Sequence, residues 1–386
     1  MRISLLSPLI AAAVAACCVA PGNASTFPVT DPGLYFSPYN TYSDGAGRLL
    51  PTNVRAGSHY ALWIHPGSYL KTSFTGTAAA LLLDAGTISE GGFPRLTWSV
   101  DNRPLQSKIL ESGARSLPLA HGLAPGIHAL VVYLSATDAN YDRWKTPLEA
   151  VKIRGVELDS GGTLALPTGP VSIARSNAIF FGDSITEGAW TLGNSNRIVQ
   201  GHYVDWVANS DAVYAWPTIL ASALGFEFGN CGSAAMSWLS PARPAYLPPL
   251  PEAWDSYFEG HSRLYGGKLA PGPDYVFVNM GTNDGNRDTS QAAAKWLAAI
   301  RSAVGRKTPV VVIIPFGQQN RDSLQRAIGA VRDPFVFKVD LGPRWAQGLD
   351  HYGQPSLVAF DGLHPRAVVS GLYAALVAAA VKDVLR

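Results

Sequence analysis

The chain has 386 residues, 47% of them apolar and 15% charged, with a formal net charge of +2. So much apolar side chain offsets the entropy of ordering the backbone, which excludes a disordered chain and allows two or three packed domains. The near-neutral balance gives no electrostatic footprint for nucleic acid, and three cysteines exclude a disulfide scaffold.

The N-terminal apolar run, from Leu5 to Ala16 behind Arg2, is too short to cross a bilayer, which takes about 20 residues. It suits the core of a secretory signal, and Gly22-Asn23-Ala24 offers a cleavage site. Residues 1–24 are therefore read as a signal peptide, and the mature protein is expected in the periplasm or outside the cell. Val14-Ala15-Ala16-Cys17 also resembles a bacterial lipobox, which would tether the protein through Cys17. Cys231 is the only cysteine well inside the mature chain, so no disulfide is expected within it. No later stretch has the length and apolarity of a membrane span.

Residues 25–166 read as an all-β sandwich of the jelly-roll kind. Short runs rich in β-branched and aromatic residues, such as Tyr60 to Ile64, Tyr69 to Phe74, Ala79 to Leu83, Arg95 to Val100 and His128 to Leu134, alternate with turn pairs such as Pro66-Gly67 and Asp101-Asn102. The Gly- and Pro-rich segment Gly161 to Pro170 looks like a linker, with 167–175 placed between the domains. From 176 to 386 the rhythm changes. Apolar runs at Ala178 to Phe181, Tyr275 to Val278, Pro309 to Ile314 and Phe335 to Val339 alternate with helical periodicity at Tyr214 to Leu224, Ser290 to Val304 and Val368 to Leu385. That alternation implies an α/β fold, a doubly wound and mostly parallel sheet. Ligands in such sheets sit at the carboxyl ends of the strands, so chemistry is sought there.

Four segments answer. Gly182-Asp183-Ser184 follows the first apolar run, where a small residue on a tight strand-to-helix turn lets a hydroxyl project. Asn230-Cys231-Gly232-Ser233-Ala234-Ala235 ends another strand in small residues, whose backbone amides can approach a substrate. Gly281-Thr282-Asn283-Asp284 presents an amide side chain at the same edge. Asp361-Gly362-Leu363-His364-Pro365 puts a carboxylate three residues before an imidazole, close enough to meet one ring nitrogen while the other faces outward.

In order and spacing these segments resemble the blocks of the SGNH (GDSL-type) hydrolase superfamily, a flavodoxin-like fold, over residues 176–386. The resemblance implies that Ser184 is the nucleophile, His364 the general base and Asp361 the residue that orients it. It implies an oxyanion hole of the Ser184 N–H, a small-residue N–H in the second block and the Asn283 side chain. Where the family has glycine, five residues after the asparagine, this chain has Ala235. The second-block amide is therefore Ala235 or, alternatively, one nearer Gly232. The front half, with Tyr69 to Thr77, Val100 to Pro104 and Gly122 to His128, is similar to the leading domain of carbohydrate esterase family 2, deacetylases of plant polysaccharides. The combined resemblance implies a secreted serine esterase that acts on O-acetyl groups of a polysaccharide or oligosaccharide.

Aromatic residues crowd the loops behind the nucleophile, and Trp190 and Trp238 are candidates to stack on sugar rings. The competing reading is that these rings pack an insertion onto the core. Asp183 and Asp284 read as braces of their turns. Asp183 with Glu187 is the only carboxylate pair near the site, at a spacing common on any helix, which leaves glycosidase chemistry poorly supported. No metal-ligand spacing is present, and neither metal nor organic cofactor is expected. Two other functions stay open at this point: an SGNH esterase, lipase or acyltransferase on a non-carbohydrate ester, and a carbohydrate-binding protein with a silent hydrolase domain.

Overall fold

A computed structural model of the chain describes residues 24–384 except 85–92, 148, 194–197, 200–201, 204, 243–245, 343–357 and 360, together with the side chains of 198–199 and 202–203. Apart from Ala24, the signal-peptide segment 1–24 lies outside the described residues, as does Cys17.

The front half is a sandwich of two six-stranded antiparallel sheets. One sheet runs in the order Thr41–Ser43, Ala61–Trp63, Val151–Leu158, Ala79–Leu83 and Ser116–Ala120, with Ser25–Pro28 also paired to Val151–Leu158. The other runs Thr163–Ala165, Tyr69–Thr75, Ile127–Ala136, Arg95–Val100 and Gln106–Ile109, with Tyr35–Phe36 also paired to Tyr69–Thr75. Period-2 burial drives the pairing. In Ile127–Ala136 the side chains of Leu130, Val132 and Leu134 point into the core while those of Ile127, Ala129, Val131 and Tyr133 do not. Thr163–Ala165 lies in the stretch read as linker-like, yet it forms an edge strand. The Gly161-Gly162 turn, with Gly161 at φ 79°, sends the chain back along Tyr69–Thr75.

The second half has a five-stranded parallel sheet. In chain order its strands are Ser176–Gly182, Phe226–Gly232, Tyr275–Asn279, Val310–Ile313 and Val336–Val339, and their spatial order is 2-1-3-4-5. Helices cover both faces, and the strands divide their side chains between them. Ile179, Phe181, Val276, Val278, Val310 and Val312 pack with the helices Ser290–Ala303 and Arg321–Val331. Ala178, Phe180, Phe277, Val311 and Ile313 pack on the opposite face with Trp216–Leu224 and Ala367–Val381. The helix expected from Tyr214 begins at Trp216 instead, with Pro217 in its first turn, where its missing N–H has no helical partner to lose; Ala212–Tyr214 is a separate turn of 3-10 helix.

The halves meet over a buried polar seam. Glu227, fully buried, accepts hydrogen bonds from the Tyr69 hydroxyl at 2.5 Å, the Lys71 ammonium at 2.7 Å and the Ala174 N–H at 2.8 Å. Three donors compensate one buried carboxylate, and they tie the sandwich, the connecting segment and the second parallel strand together.

Candidate active site

The ladder sets three strand ends level, with Gly182 opposite both Gly232 and Asn279. The four segments singled out in the sequence leave the sheet from this carboxyl edge or close beside it. Gly182 has to be small: a Cβ there would stand 2.0 Å from the Thr186 hydroxyl oxygen and 2.7 Å from the Asn279 carbonyl oxygen. That contact lets the chain turn straight from strand into the one-turn helix Ser184–Glu187. Asp183 caps this helix, accepting the Ile185 N–H at 3.0 Å, and burial pushes its carboxyl up to about 6. Asp183 thus braces the turn, and Asp284 does the same for its neighbour by accepting the N–H groups of Trp238 and Leu239 at 2.9 and 3.1 Å.

His364 is brought to Ser184 across the edge. Its Nε2 lies 2.7 Å from Ser184 Oγ, although 180 residues separate the two in sequence. The turn that carries it is closed by Ala359 N–H donating to the His364 carbonyl and Gly362 N–H donating to the Ala359 carbonyl, at 2.8 and 3.0 Å. Inside that turn Asp361 Oδ1 accepts the N–H groups of Leu363 and His364, at 3.0 and 3.1 Å, while Oδ2 meets His364 Nδ1. Burial raises the Asp361 carboxyl, but the hydrogen bond and charge of His364 and the two N–H groups outweigh it and leave it at about 2. A carboxylate that acidic only accepts, so Nδ1 carries the imidazole proton and Nε2 is left to accept from the serine hydroxyl.

The oxyanion candidates separate by their hydrogen bonds. In the second block Gly232 N–H donates to Asn230 Oδ1 at 3.0 Å, Ser233 N–H to the Gly182 carbonyl at 3.1 Å, Ala234 N–H to Glu187 Oε2 at 2.5 Å and Met236 N–H to the Ser233 carbonyl at 3.2 Å. Ala235 N–H has no acceptor among the described residues, and neither does that of Ser184. The Gly232 amide is therefore committed, and the Ala235 amide is free of any acceptor among the described residues. Ala235 achieves this at φ 57°, a left-handed conformation that costs alanine roughly 1–2 kcal/mol and glycine almost nothing. Asn283 Nδ2 donates one hydrogen to the Met236 carbonyl at 2.9 Å, which holds the side chain against the same turn, and its second hydrogen has no acceptor among the described residues.

The two tryptophans do not line a cleft. Trp190 and Trp238 are 1% and 2% exposed. Trp190 packs edge-on against Trp206; Trp238 packs edge-on against Trp296 and donates its indole N–H to the Met280 carbonyl at 3.1 Å. Their faces are spent on the core, so the stacking role is corrected to a packing one. Other residues of the site were not found by motif. Asn230 donates from Nδ2 to the Thr186 carbonyl at 2.9 Å and so joins the first two blocks. Glu187, set aside as half of a helix-spaced carboxylate pair, is buried and ion-paired at 2.9 Å with Arg143 of the sandwich. Nothing in the spacing could have paired residues 44 apart.

Comparison with known proteins shows similarity in family and fold. Residues 180–368 match the GDSL-like Lipase/Acylhydrolase family. A curated relative, Cellulase/esterase CelE of Acetivibrio thermocellus, is 28% identical over an alignment of 228 residues that covers 56% of this chain; the chain spans about a quarter (24%) of that protein's length. Among solved structures, an acetyl xylan esterase (Est2A) from Butyrivibrio proteoclasticus superposes with a TM-score of 0.70 at 14% identity, covering 94% of this chain and 99% of that one. A family two carbohydrate esterase from Clostridium thermocellum, in complex with cellohexaose, superposes with a TM-score of 0.64 at 18% identity, covering 85% and 95%. The sandwich followed by a parallel-sheet domain is thus an architecture shared along nearly the whole of those chains.

Proposed function

From a chain whose residues 180–368 are a GDSL-like lipase/acylhydrolase domain, we propose a carboxylic ester hydrolase that removes O-acetyl groups from a carbohydrate by serine catalysis. The observation that carries this reading is the 2.7 Å contact between His364 Nε2 and Ser184 Oγ, with Asp361 on the far ring nitrogen and two uncommitted N–H groups nearby in the fold. As the Ser184 hydroxyl attacks the ester carbonyl, its proton passes to His364 Nε2 and the carbonyl oxygen gains negative charge. The N–H groups of Ser184 and Ala235 and the spare hydrogen of Asn283 Nδ2 are the donors for that oxygen. Collapse of the tetrahedral adduct breaks the bond to the sugar oxygen, which takes the proton from His364 and leaves as a hydroxyl. Water then attacks the acetyl-serine by the same route in reverse. Asp361 stays ionised throughout and stabilises the imidazolium.

The acetylated carbohydrate rests on the architecture shared with enzymes that carry those names. Export by residues 1–24 would deliver the enzyme to polysaccharide outside the cytoplasm. Two measurements test the reading together. Hydrolysis of p-nitrophenyl acetate should fall by about 10⁴-fold or more in Ser184→Ala with the melting temperature unchanged. Acetate should be released from acetylated xylan or mannan, and p-nitrophenyl acetate should be cut faster than the octanoate. Full activity in Ser184→Ala removes the serine mechanism, and a preference for octanoate removes the acetyl assignment.

A further inference from the structure

Ala235 holds a left-handed conformation that alanine avoids, and something around it must impose that conformation. Four neighbouring N–H groups are held by acceptors inside the parallel-sheet domain, three of them by acceptors with no ion pair to the sandwich. The fourth, that of Ala234, donates to Glu187 Oε2 at 2.5 Å. Glu187 Oε1 in turn lies 2.9 Å from Arg143 Nη1, and Arg143 Nη2 donates to the Thr137 carbonyl at 2.8 Å. Arg143 and Glu187 are 2% and 3% exposed, so water screens none of this.

Arg143 belongs to the sandwich. It sits in the segment between the strands Ile127–Ala136 and Val151–Leu158, and that segment reaches into the catalytic edge. Ala136 and Ala139 pack in one cluster with Ala189, Ala234 and Ala359, beside the nucleophile, oxyanion and histidine turns respectively. The Trp144 carbonyl accepts the Glu259 N–H at 3.1 Å, anchoring the segment's far side. Without Arg143, burial would favour protonation of Glu187, and a neutral acid is a weaker acceptor for the Ala234 N–H.

We infer that Glu187, ion-paired with Arg143 of the sandwich, is a positioning residue for the oxyanion hole: it accepts and fixes the Ala234 N–H, and so aims the N–H of Ala235. The sandwich thereby supplies the counter-ion of a residue that shapes the site. This rests on the esterase reading above. Removing Arg143 alone strands a buried carboxylate and risks misfolding, so two charge-free pairs in the full chain test the idea. Arg143→Met with Glu187→Gln keeps an oxygen to accept the Ala234 N–H. Arg143→Met with Glu187→Met fills similar space and removes the acceptor.

The glutamine pair should lose about threefold in kcat on p-nitrophenyl acetate, and the methionine pair about 30- to 100-fold with KM unchanged. Affinity for methylboronic acid, a mimic of the oxyanion adduct, should fall in the same proportion as kcat. The Ala234 amide should stay protected from hydrogen exchange in the glutamine pair and exchange freely in the methionine pair. Equal kcat, equal boronate affinity and equal Ala234 protection in the two pairs would overturn the inference. If the wild-type protein hydrolyses no ester, the esterase reading fails by itself, and the exchange data alone decide whether Glu187 holds the turn.

Discussion

The sandwich interior and the catalytic edge are both buried, but they are built from different materials. Between the two antiparallel sheets lie aliphatic and aromatic side chains such as Leu70, Leu81, Leu130 and Val132, each with no solvent exposure. At the catalytic edge Asp183, Glu187, Asn230 and Asp284 are equally inaccessible, and each is held by directed hydrogen bonds to backbone N–H groups or to a cation. Apolar contacts are non-directional and tolerate small shifts, whereas each buried polar group has to find its partner or pay for its desolvation. The sandwich core therefore sets how stable the molecule is, and the edge sets where a few N–H and O–H groups point.

Substitutions can separate the two kinds of region. Under the proposed mechanism, the largest effect after Ser184→Ala is expected in Asn283→Ala, with kcat falling about 100- to 1000-fold, KM little changed and thermal stability nearly intact. Leu130→Ala should do the reverse. Its cavity should cost about 2–5 kcal/mol in a denaturant melt, while kcat per folded molecule is retained. If Leu130→Ala abolished catalysis in molecules that remain folded, the contrast between the regions would fail.

Glu149 sharpens the comparison through pH. It is 3% exposed in the segment that carries Arg143, and accepts the Asp138 N–H at 2.6 Å; burial and the nearby Asp138 carboxyl push its pKa up to about 9. A carboxyl raised in the folded state contributes stability below its ordinary pKa of about 4.5 and loses it as pH rises toward about 9. Glu149→Gln should melt like the wild type near pH 4.5 and progressively higher from there to pH 9. Asp361 runs the other way. Its lowered pKa of about 2 stabilises the fold above about pH 4 and ceases to do so as pH falls through 2. The smallest effect is expected in Ala235→Gly, which should relieve left-handed strain and raise stability by up to about 1 kcal/mol with activity within severalfold of wild type. A large loss of stability there would show that the alanine methyl packs productively.

The sequence made legible what depends on short-range pattern. The buried parallel strands are runs with few alternatives, and Gly182-Asp183-Ser184 and Asp361 to His364 are each local enough to read as turns. The helix Arg321–Val331 was not among the elements read from periodicity: between Arg321 and Val331 only Leu324 and Ala327 are buried apolar residues, and its entry is set by Asn320 in a left-handed turn. Trp190 and Trp238 were misassigned because a ring that stacks on sugar and one that fills a core have the same sequence signature. The free Ala235 amide could be nominated by counting, but choosing it over Gly232 required knowing where every neighbouring N–H goes. The Arg143–Glu187 pair has no spacing signal, because it joins the sandwich to the parallel-sheet domain across 44 residues of chain.

One glycine carries a consequence for how the two halves could be taken apart. In the second parallel strand a Cβ at Gly229 would lie 2.2 Å from the Pro38 carbonyl oxygen, so main chain from the sandwich sits directly against main chain of the hydrolase sheet. Such a notch admits no side chain of any kind. Even Gly229→Ala would act as a wedge at the seam, and an excised hydrolase fragment would expose a bare stretch of backbone that the intact protein never presents to water.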